Sequence, residues 1–223
     1  MKRPFRMAIT TGDIDGIGLE IACKALAKLG PKKDFQFIIF RSPKASKKDL
    51  NRIDAEFKRI TVSSWHEALS RTPTGYKELV DINSSLSPAN WIETAAQAAS
   101  LGHIDAITTA PITKSIIQEA GLADVGHTDI LKRVSGAKDA FMGFVGNRFS
   151  LVVATGHIPL TEVSKELTKE RLKKAILAAQ KLRTLLNKKD ATKPIGVLGL
   201  NPHAGEGGII GEEEQQVHLP VIE

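Results

Sequence analysis

Two histidines of this 223-residue chain could supply half of a metal site. His157 stands in Thr-Gly-His-Ile-Pro-Leu and His203 in Asn-Pro-His-Ala-Gly-Glu, and each follows an apolar run that is typical of a buried strand. Neutral imidazole is a common ligand for zinc and other borderline divalent cations, and a catalytic metal usually takes three protein ligands. We therefore predict a divalent cation on His157 and His203, with the third ligand left open.

A parallel sheet would carry both histidines to one edge. We interpret the apolar runs Phe149 to Ala154 and Ile195 to Leu200 as inner strands, and open α/β sheets bind ligands outside the carboxyl ends of such strands. Strand-like and helix-like segments alternate along the chain, which favours the α/β class. The predicted strands are Met7–Thr10, Phe35–Phe40, Arg59–Ser63, Glu78–Ile82, Asp105–Thr109, Phe141–Val145, Ser150–Ala154 and Ile195–Leu200. The clearest helical patterns cover Gly18–Leu29, Pro88–Leu101, Thr113–Ala120, Thr128–Val134 and Leu167–Asn187, and an acidic run at 212–214 indicates another helix start.

The connection between the first strand and the first helix is rich in glycine. It contains Gly16 and Gly18, but Ile21 stands where a dinucleotide fingerprint has its third glycine. Two interpretations stay open. The segment is either a tight βα turn or an anion site at a helix start, in which Asp13 or Glu20 orients polar groups.

A lysine, a histidine and a hydroxyl follow the fifth strand. Lys114 ends the segment Thr-Thr-Ala-Pro-Ile-Thr-Lys, and His127 with Thr128 stands in Gly-His-Thr-Asp. Helix capping would explain Thr113, and His127 could itself be a helix-start residue. At the mouth of a sheet, however, these groups suit a phosphorylated or carboxylated ligand, so we predict that His127 and Thr128 contact substrate.

Composition excludes several partners. The charge of +6 comes from lysines spread over helices, aromatic residues make up only 5 %, and no nucleic-acid partner is therefore expected. No apolar run of membrane-spanning length and no secretory core occur, which predicts a soluble cytoplasmic protein without a membrane partner. Cys23 is the single cysteine and is expected to be packed, while His66, His103 and His218 are assigned to surface or packing.

Together these segments resemble the 4-hydroxythreonine-4-phosphate dehydrogenase family of pyridoxal phosphate biosynthesis. The family pattern runs Gly-Asp-Pro-x-Gly-Ile-Gly-Pro-Glu, Thr-Ala-Pro-Ile-Asn-Lys, Gly-His-Thr-Glu, Thr-His-Ile-Pro-Leu and Asn-Pro-His-Ala-Gly-Glu. All five segments occur here in that order, between residues 10 and 214. The chain departs from the pattern at Ile14, Asp15, Leu19, Thr113 and Asp129.

The resemblance implies a fold, an activity and a set of partners. The fold would be α/β, a two-domain isocitrate/isopropylmalate dehydrogenase-like fold with parallel or mixed sheets, and the protein would be a homodimer. The reaction would be the oxidation of 4-phosphohydroxy-L-threonine to 2-amino-3-oxo-4-phosphobutanoate, which decarboxylates to 3-amino-2-oxopropyl phosphate. NAD or NADP would accept the hydride, with a divalent zinc, magnesium or cobalt ion. His127 and Thr128 would contact the phosphorylated substrate, His157 and His203 would bind the metal, and no catalytic residue is assigned.

Family members continue beyond the segments present here, through a His-Asp-Gln-Gly segment that carries a third metal-binding histidine. We therefore expect residues 1–223 to form an incomplete region of such a dehydrogenase, with its C-terminal part missing and its sub-domain boundaries open. Two alternatives remain. One is a related dehydrogenase acting on another phosphorylated four-carbon hydroxy acid, and the other is a catalytically incomplete fragment or subunit.

Overall fold

The chain divides after Lys138 into two units, Met1–Lys138 and Asp139–Glu223. The computed structural model describes residues 3–71, 75–186 and 192–223. Among the helices of these ranges, none combines the length and the apolar composition needed to cross a membrane.

Five parallel strands form the sheet of the first unit. They are β1 (Phe5–Thr10), β2 (Phe35–Arg41), β3 (Lys58–Val62), β4 (Glu78–Asn83) and β5 (Ala106–Thr109), in the spatial order β3-β4-β2-β1-β5. Parallel neighbours need crossover connections, and helices supply them. The helices are α1 (Gly18–Leu29), α2 (Lys47–Asp54), α3 (Trp65–Ser70) and α4 (Pro88–Ser100), followed after β5 by α5 (Lys114–Glu119) and α6 (His127–Ser135).

Alternate side chains of β2 show why this sheet is covered on both faces. Ile38 packs into a cluster that includes Trp91 of α4, whereas Ile39 packs into a second cluster with Leu26 of α1. Both isoleucines are almost completely buried. A strand between two helical layers has no solvent-facing side, and the middle of β2, Phe37–Phe40, is accordingly an apolar run. A third cluster, which includes Ile130 of α6, joins α5 and α6 to α4.

One buried carboxylate holds two arginines at the edge of this core. Asp81 of β4 accepts two hydrogen bonds of 2.8 Å from Arg41, one of 2.7 Å from Arg59 and one of 3.1 Å from Thr61. The side chain of Asp81 has no exposed surface, and that of Arg41 is 8 % exposed. Arg59 also binds Asp54, whose side chain is 39 % exposed. Asp81 is therefore the shared counter-ion of Arg41 and of Arg59, whose side chain is 19 % exposed.

The single cysteine lies in α1 and is fully buried, as the sequence predicted. Burial raises the pKa of Cys23 to about 12. Because the thiolate is the reactive form, we expect Ellman's reagent to modify Cys23 only as fast as the first unit unfolds. An engineered Leu198→Cys thiol, at a position 89 % exposed, should react at once. Rapid modification of Cys23 without denaturant would contradict the expected burial.

The second unit has little sheet. Its strands β6 (Gly143–Val145) and β7 (Ser150–Val152) form an antiparallel pair. A 3-10 helix (Leu160–Glu162) leads into α7 (Val163–Glu166) and the long helix α8 (Lys169–Leu186). A tight turn over Pro202–Gly208 is followed by a π-helical turn (Glu214–His218) and by α9 (Leu219–Ile222).

The predicted inner strands of the second unit are wrong. Ser150–Ala154 contributes only the three residues of β7, and β7 pairs with β6 in an antiparallel hairpin. Ile195–Leu200 forms no strand, and neither segment belongs to the parallel sheet. The side chains explain the error, because Phe149 is 72 % and Leu198 is 89 % exposed. Apolar composition indicates a potential strand, but a strand forms only where a second strand completes its hydrogen bonds.

Candidate functional site

The carboxyl ends of β1 and β5 lie side by side, with Thr10 opposite Thr109. The loops that follow them are joined by hydrogen bonds at Asp13. The backbone N–H of Asp13 donates to Pro111 O over 3.1 Å, and its carboxylate accepts the N–H of Thr113 at 3.1 and 3.2 Å. Asp13 therefore orients backbone groups of the neighbouring loop, which favours the interpretation of this segment as a tight βα turn.

Glycine is required where these loops meet. Gly12 has a φ of +68°, and a Cβ there would stand 2.1 Å from Pro111 O. A Cβ on Gly18 would stand 2.1 Å from Thr11 O. The glycines therefore permit close backbone approach at a tight turn. Glu20 takes no part in this turn, since its carboxylate pairs with Lys24 on the exposed face of α1.

His127 begins α6 and reaches back to the same edge. Its Nε2 lies 3.1 Å from the carbonyl oxygen of Ala110, the first residue after β5. Because a carbonyl oxygen can only accept, Nε2 carries the proton and Nδ1 is left to face a ligand as acceptor, or as donor when the ring is charged. The bond fixes the half-buried imidazole at the carboxyl end of β5.

Two further predicted groups lie at the starts of α6 and α5. Thr128 is the exposed second residue of α6, and Lys114 is the exposed first residue of α5. Asp129 has a structural role, because its carboxylate accepts the N–H of Val125 at 3.1 Å and so ties the start of α6 to the preceding loop. A helix start of this kind carries partial positive charge and favours an anion.

His157 lies in an exposed loop of the second unit between β7 and the 3-10 helix. The loop is fastened upstream, where Arg171 Nε donates to Ala154 O over 2.6 Å. The same guanidinium lies over the ring of Phe141, 5.8 Å from its centroid. α8 therefore supports the chain just before the histidine.

His203 occupies a left-handed turn. His203, Ala204 and Glu206 have φ values of +53°, +52° and +44°, and the glycines between and after them are also positive. Left-handed backbone costs a non-glycine residue about 1–2 kcal/mol. Such a turn persists only where surrounding contacts hold it.

Glu214 supplies those contacts and was missed from the sequence. Its buried carboxylate accepts Leu200 N at 2.6 Å, Asn201 N at 2.8 Å and Asn201 Nδ2 at 2.9 Å. A Cβ on Gly205 would stand 2.9 Å from its Oε2. The acidic run at 212–214 predicts a helix start, and a helical turn does begin there. Only the folded structure reveals that the Glu214 side chain binds Leu200 and Asn201, just before the turn that carries His203.

The hydrogen bonds of Glu214 also determine its charge. Burial raises the pKa of Glu214, but the hydrogen bonds from Asn201 and Leu200 outweigh it and bring the pKa down to about 2. The ordinary value is 4.5, so the fold favours the ionised form. The stabilisation from this group is therefore complete above that value and is lost as the pH falls toward 2.

The predicted histidines fall into two sets. His127 and Thr128 lie in the first unit, and His157 and His203 lie on exposed loops of the second. Over residues 3–71, 75–186 and 192–223, no group of three or more His, Cys, Asp or Glu side chains is placed to hold a metal ion. His66 and His103 are exposed and His218 is buried, as their assignment to surface or packing predicted.

Comparison with known proteins identifies the same family that the five sequence segments resemble. The family model described as "Pyridoxal phosphate biosynthetic protein PdxA" matches residues 22–223. A 4-hydroxythreonine-4-phosphate dehydrogenase from Sulfurihydrogenibium sp. is 35 % identical over 97 % of this chain and 69 % of its own length. A putative D-threonate 4-phosphate dehydrogenase from Oceanobacillus iheyensis is 29 % identical over 100 % of this chain and 70 % of its own length.

A crystal structure supports the same relationship. The 4-hydroxythreonine-4-phosphate dehydrogenase from Klebsiella pneumoniae superposes with a TM-score of 0.74 at 26 % identity, covering 98 % of this chain and 70 % of that one. The predicted fold class, α/β of the isocitrate dehydrogenase-like type with a parallel central sheet, is confirmed. This chain belongs to the family of the pyridoxal phosphate biosynthetic protein PdxA.

Proposed function

We propose that this chain takes part in the NAD-dependent oxidation of 4-phosphohydroxy-L-threonine in pyridoxal phosphate biosynthesis. The secondary alcohol loses its carbinol hydrogen as hydride and its hydroxyl hydrogen as a proton, and the β-keto acid then releases carbon dioxide. Membership of the family supports this reaction, and so does the name of a relative that 97 % of this chain matches and of which the chain covers 69 %.

One observation of this molecule carries the proposal: the bond between His127 and Ala110 O. It brings the imidazole, Thr128 and the start of a nine-residue helix to the carboxyl end of β5, where α/β sheets bind ligands. The substrate carries a phosphate and a carboxylate. In our proposal, His127 Nδ1 and the Thr128 hydroxyl donate to one of these anions, and the exposed ammonium of Lys114 attracts the other.

His157 and His203 would hold a divalent cation. Their imidazoles are exposed and therefore open to an ion, and nitrogen donors suit zinc and cobalt. They amount to two ligands of the usual three. The chemistry supplied by the bound groups would be hydride acceptance by the nicotinamide, NAD or NADP, and polarisation of the substrate hydroxyl by the cation.

We further propose a cytoplasmic homodimer. The buried, unpaired Cys23 suits a reducing compartment. Exposed apolar side chains of the second unit, Phe149 and Leu198 among them, offer surface that a second subunit could cover.

A second candidate substrate is D-threonate 4-phosphate. The Oceanobacillus iheyensis relative, of which this chain covers 70 %, is named for that compound. Both substrates carry a phosphate, a carboxylate and a secondary alcohol. They differ at the carbon next to the carboxylate, which bears an amine in one and a hydroxyl in the other. The anion contacts proposed for His127 and Thr128 serve either compound.

The test is NADH formation by the purified chain with each substrate in turn, in the presence of zinc, cobalt or magnesium. We expect turnover of 4-phosphohydroxy-L-threonine. His127→Ala should lower kcat/KM about 10- to 100-fold, because a hydrogen bond to a charged group is worth about 1.5–3 kcal/mol. His66→Ala, on the exposed face of α3, is the matched control and should leave the rate unchanged.

The outcomes separate the alternatives. Preference for D-threonate 4-phosphate would assign the second substrate. Absence of NADH with both substrates and all three cations would contradict the proposal and favour a catalytically incomplete subunit.

A further inference from the structure

Glu213 connects the two segments that carry the proposed metal-binding histidines. Ser164 Oγ donates to Glu213 Oε1 over 2.5 Å, and Asn201 Nδ2 donates to Glu213 Oε2 over 2.7 Å. Ser164 follows His157 by seven residues, and Asn201 precedes His203 by two. One carboxylate therefore receives a hydrogen bond from each segment.

The chain between His157 and Ser164 is short and internally bonded. Ile158 N donates to Gly156 O at 3.0 Å, and Glu162 N donates to Pro159 O at 2.9 Å. The 3-10 helix and α7 continue directly from these turns. Fixing Ser164 therefore restricts the positions that His157 can occupy.

The chain between Asn201 and His203 is equally constrained. Asn201 is held by both carboxylates, since its Nδ2 also donates to Glu214 Oε2, and its backbone N–H donates to Glu214 Oε1. Pro202 then fixes φ immediately before the left-handed turn. His203 is thus joined to Glu214 through two residues, Asn201 and the conformationally restricted Pro202.

His218 secures the glutamates themselves. Its buried ring has Nδ1 3.2 Å from the backbone carbonyl of Glu213, the residue before the π-helical turn from Glu214 to His218. Adjacent carboxylates repel each other, and here both converge on the amide of Asn201. Both carboxylates can lie at the Asn201 side chain because further donors bind each of them. Ser164 Oγ donates to Glu213, and the backbone N–H groups of Leu200 and Asn201 donate to Glu214.

We infer that Glu213 and Glu214 are positioning residues that fix the His157 segment relative to the His203 segment, acting through Ser164 and Asn201. The inference rests on the proposed function in one respect, namely that the two imidazoles bind a divalent cation. Neither glutamate is placed as a ligand. Each acts through Ser164 or Asn201 on the chain that carries a proposed ligand.

The first test measures the two segments directly. Leu160 and Leu198, 86 % and 89 % exposed, are replaced by cysteine and spin-labelled, while the buried Cys23 stays unlabelled. Pulsed electron resonance then gives the distribution of label distances. We expect a narrow distribution in the parent chain and a broad one after Glu213→Gln or Glu214→Ala.

Glu212→Gln is the matched control. Glu212 is an exposed neighbour of the same type, and its carboxylate accepts from Gln216 within the same turn. It should leave the distribution narrow. Circular dichroism melting identifies any variant that fails to fold, and Glu214→Gln, which keeps one acceptor, is the milder substitute.

The second test titrates the chain with cobalt alone and follows the absorption of the bound ion. We expect Glu214→Ala to weaken cobalt binding about 10- to 100-fold, the usual effect of removing an outer residue of a metal site. Glu212→Gln should bind as the parent does.

The inference would be overturned by a label distribution that stays narrow in both Glu213→Gln and Glu214→Ala. It would also be overturned by a broad distribution with unchanged cobalt affinity, since the carboxylates would then hold the backbone without placing the imidazoles. Cobalt binding that survives both His157→Ala and His203→Ala is a different result. It would contradict the proposed metal site, and the label distances would still decide the role of the glutamates.

Discussion

Replacing Asp81 by alanine is expected to destabilise the first unit by about 3–5 kcal/mol, the usual cost of leaving a buried charge without its partner. Arg41 would retain its bond to Ser42 O but lose both of its bonds to a carboxylate. Arg59 would keep Asp54. Urea unfolding followed by tryptophan fluorescence measures the loss, because Trp65 and Trp91 both lie in this unit.

Asp54→Ala is the matched control for this substitution. It removes the other carboxylate of the same network, but from an exposed position, and should cost no more than about 1 kcal/mol. Equal losses from the two variants would show that burial of Asp81 is not what makes it important.

Gly12→Ala is expected to have a comparably large effect, about 2–5 kcal/mol. A side chain at a φ of +68° costs about 1–2 kcal/mol, and the overlap with Pro111 O adds about 1–3 kcal/mol as the loop after β5 is forced away. That loop contains Ala110, which holds His127. The variant should therefore also raise KM for the phosphorylated substrate, and both effects are measured on the same preparation.

Gly136→Ala separates the two causes. Gly136 follows α6 with a φ of +65°, and a Cβ there would meet nothing within 4 Å. Gly136→Ala should therefore lose only the free energy of placing alanine in a left-handed conformation, about 1–2 kcal/mol, and leave KM unchanged. If Gly12→Ala were no more harmful than Gly136→Ala, the close approach between the two loops would not be a real constraint.

The first unit follows its sequence closely. The predicted strand Phe35–Phe40 became β2, and helix α1 has the predicted bounds of Gly18–Leu29. Such elements are predictable because each is covered by helices whose own patterns are visible in the chain. The runs at Ser150–Ala154 and Ile195–Leu200 are also largely apolar. Their side-chain pattern does not predict which segment would pair with them, and so it could not predict whether they form strands.

The candidate site was predictable in part for a related reason. His127 and Asp13 stand beside loops whose position follows from the ends of β1 and β5, so their placement could be inferred. Glu213 and Glu214 could not be found in this way. Acids at a helix start are ordinary, and only the folded chain reveals that Glu214 is buried and bonded to Asn201.

The turn at Pro202–Gly208, whose backbone is left-handed from His203 onward, also restricts which residues a mutagenesis library can place there. Ala204 and Glu206 lie where the branched side chains of valine, isoleucine and threonine clash with their own backbone, whereas glycine, asparagine and aspartate are accommodated. The residues recovered at these positions in a functional selection would thus reflect the left-handed backbone rather than a role in ligand binding. Sequence variation around His203 would be narrow even at neighbours that never touch a ligand.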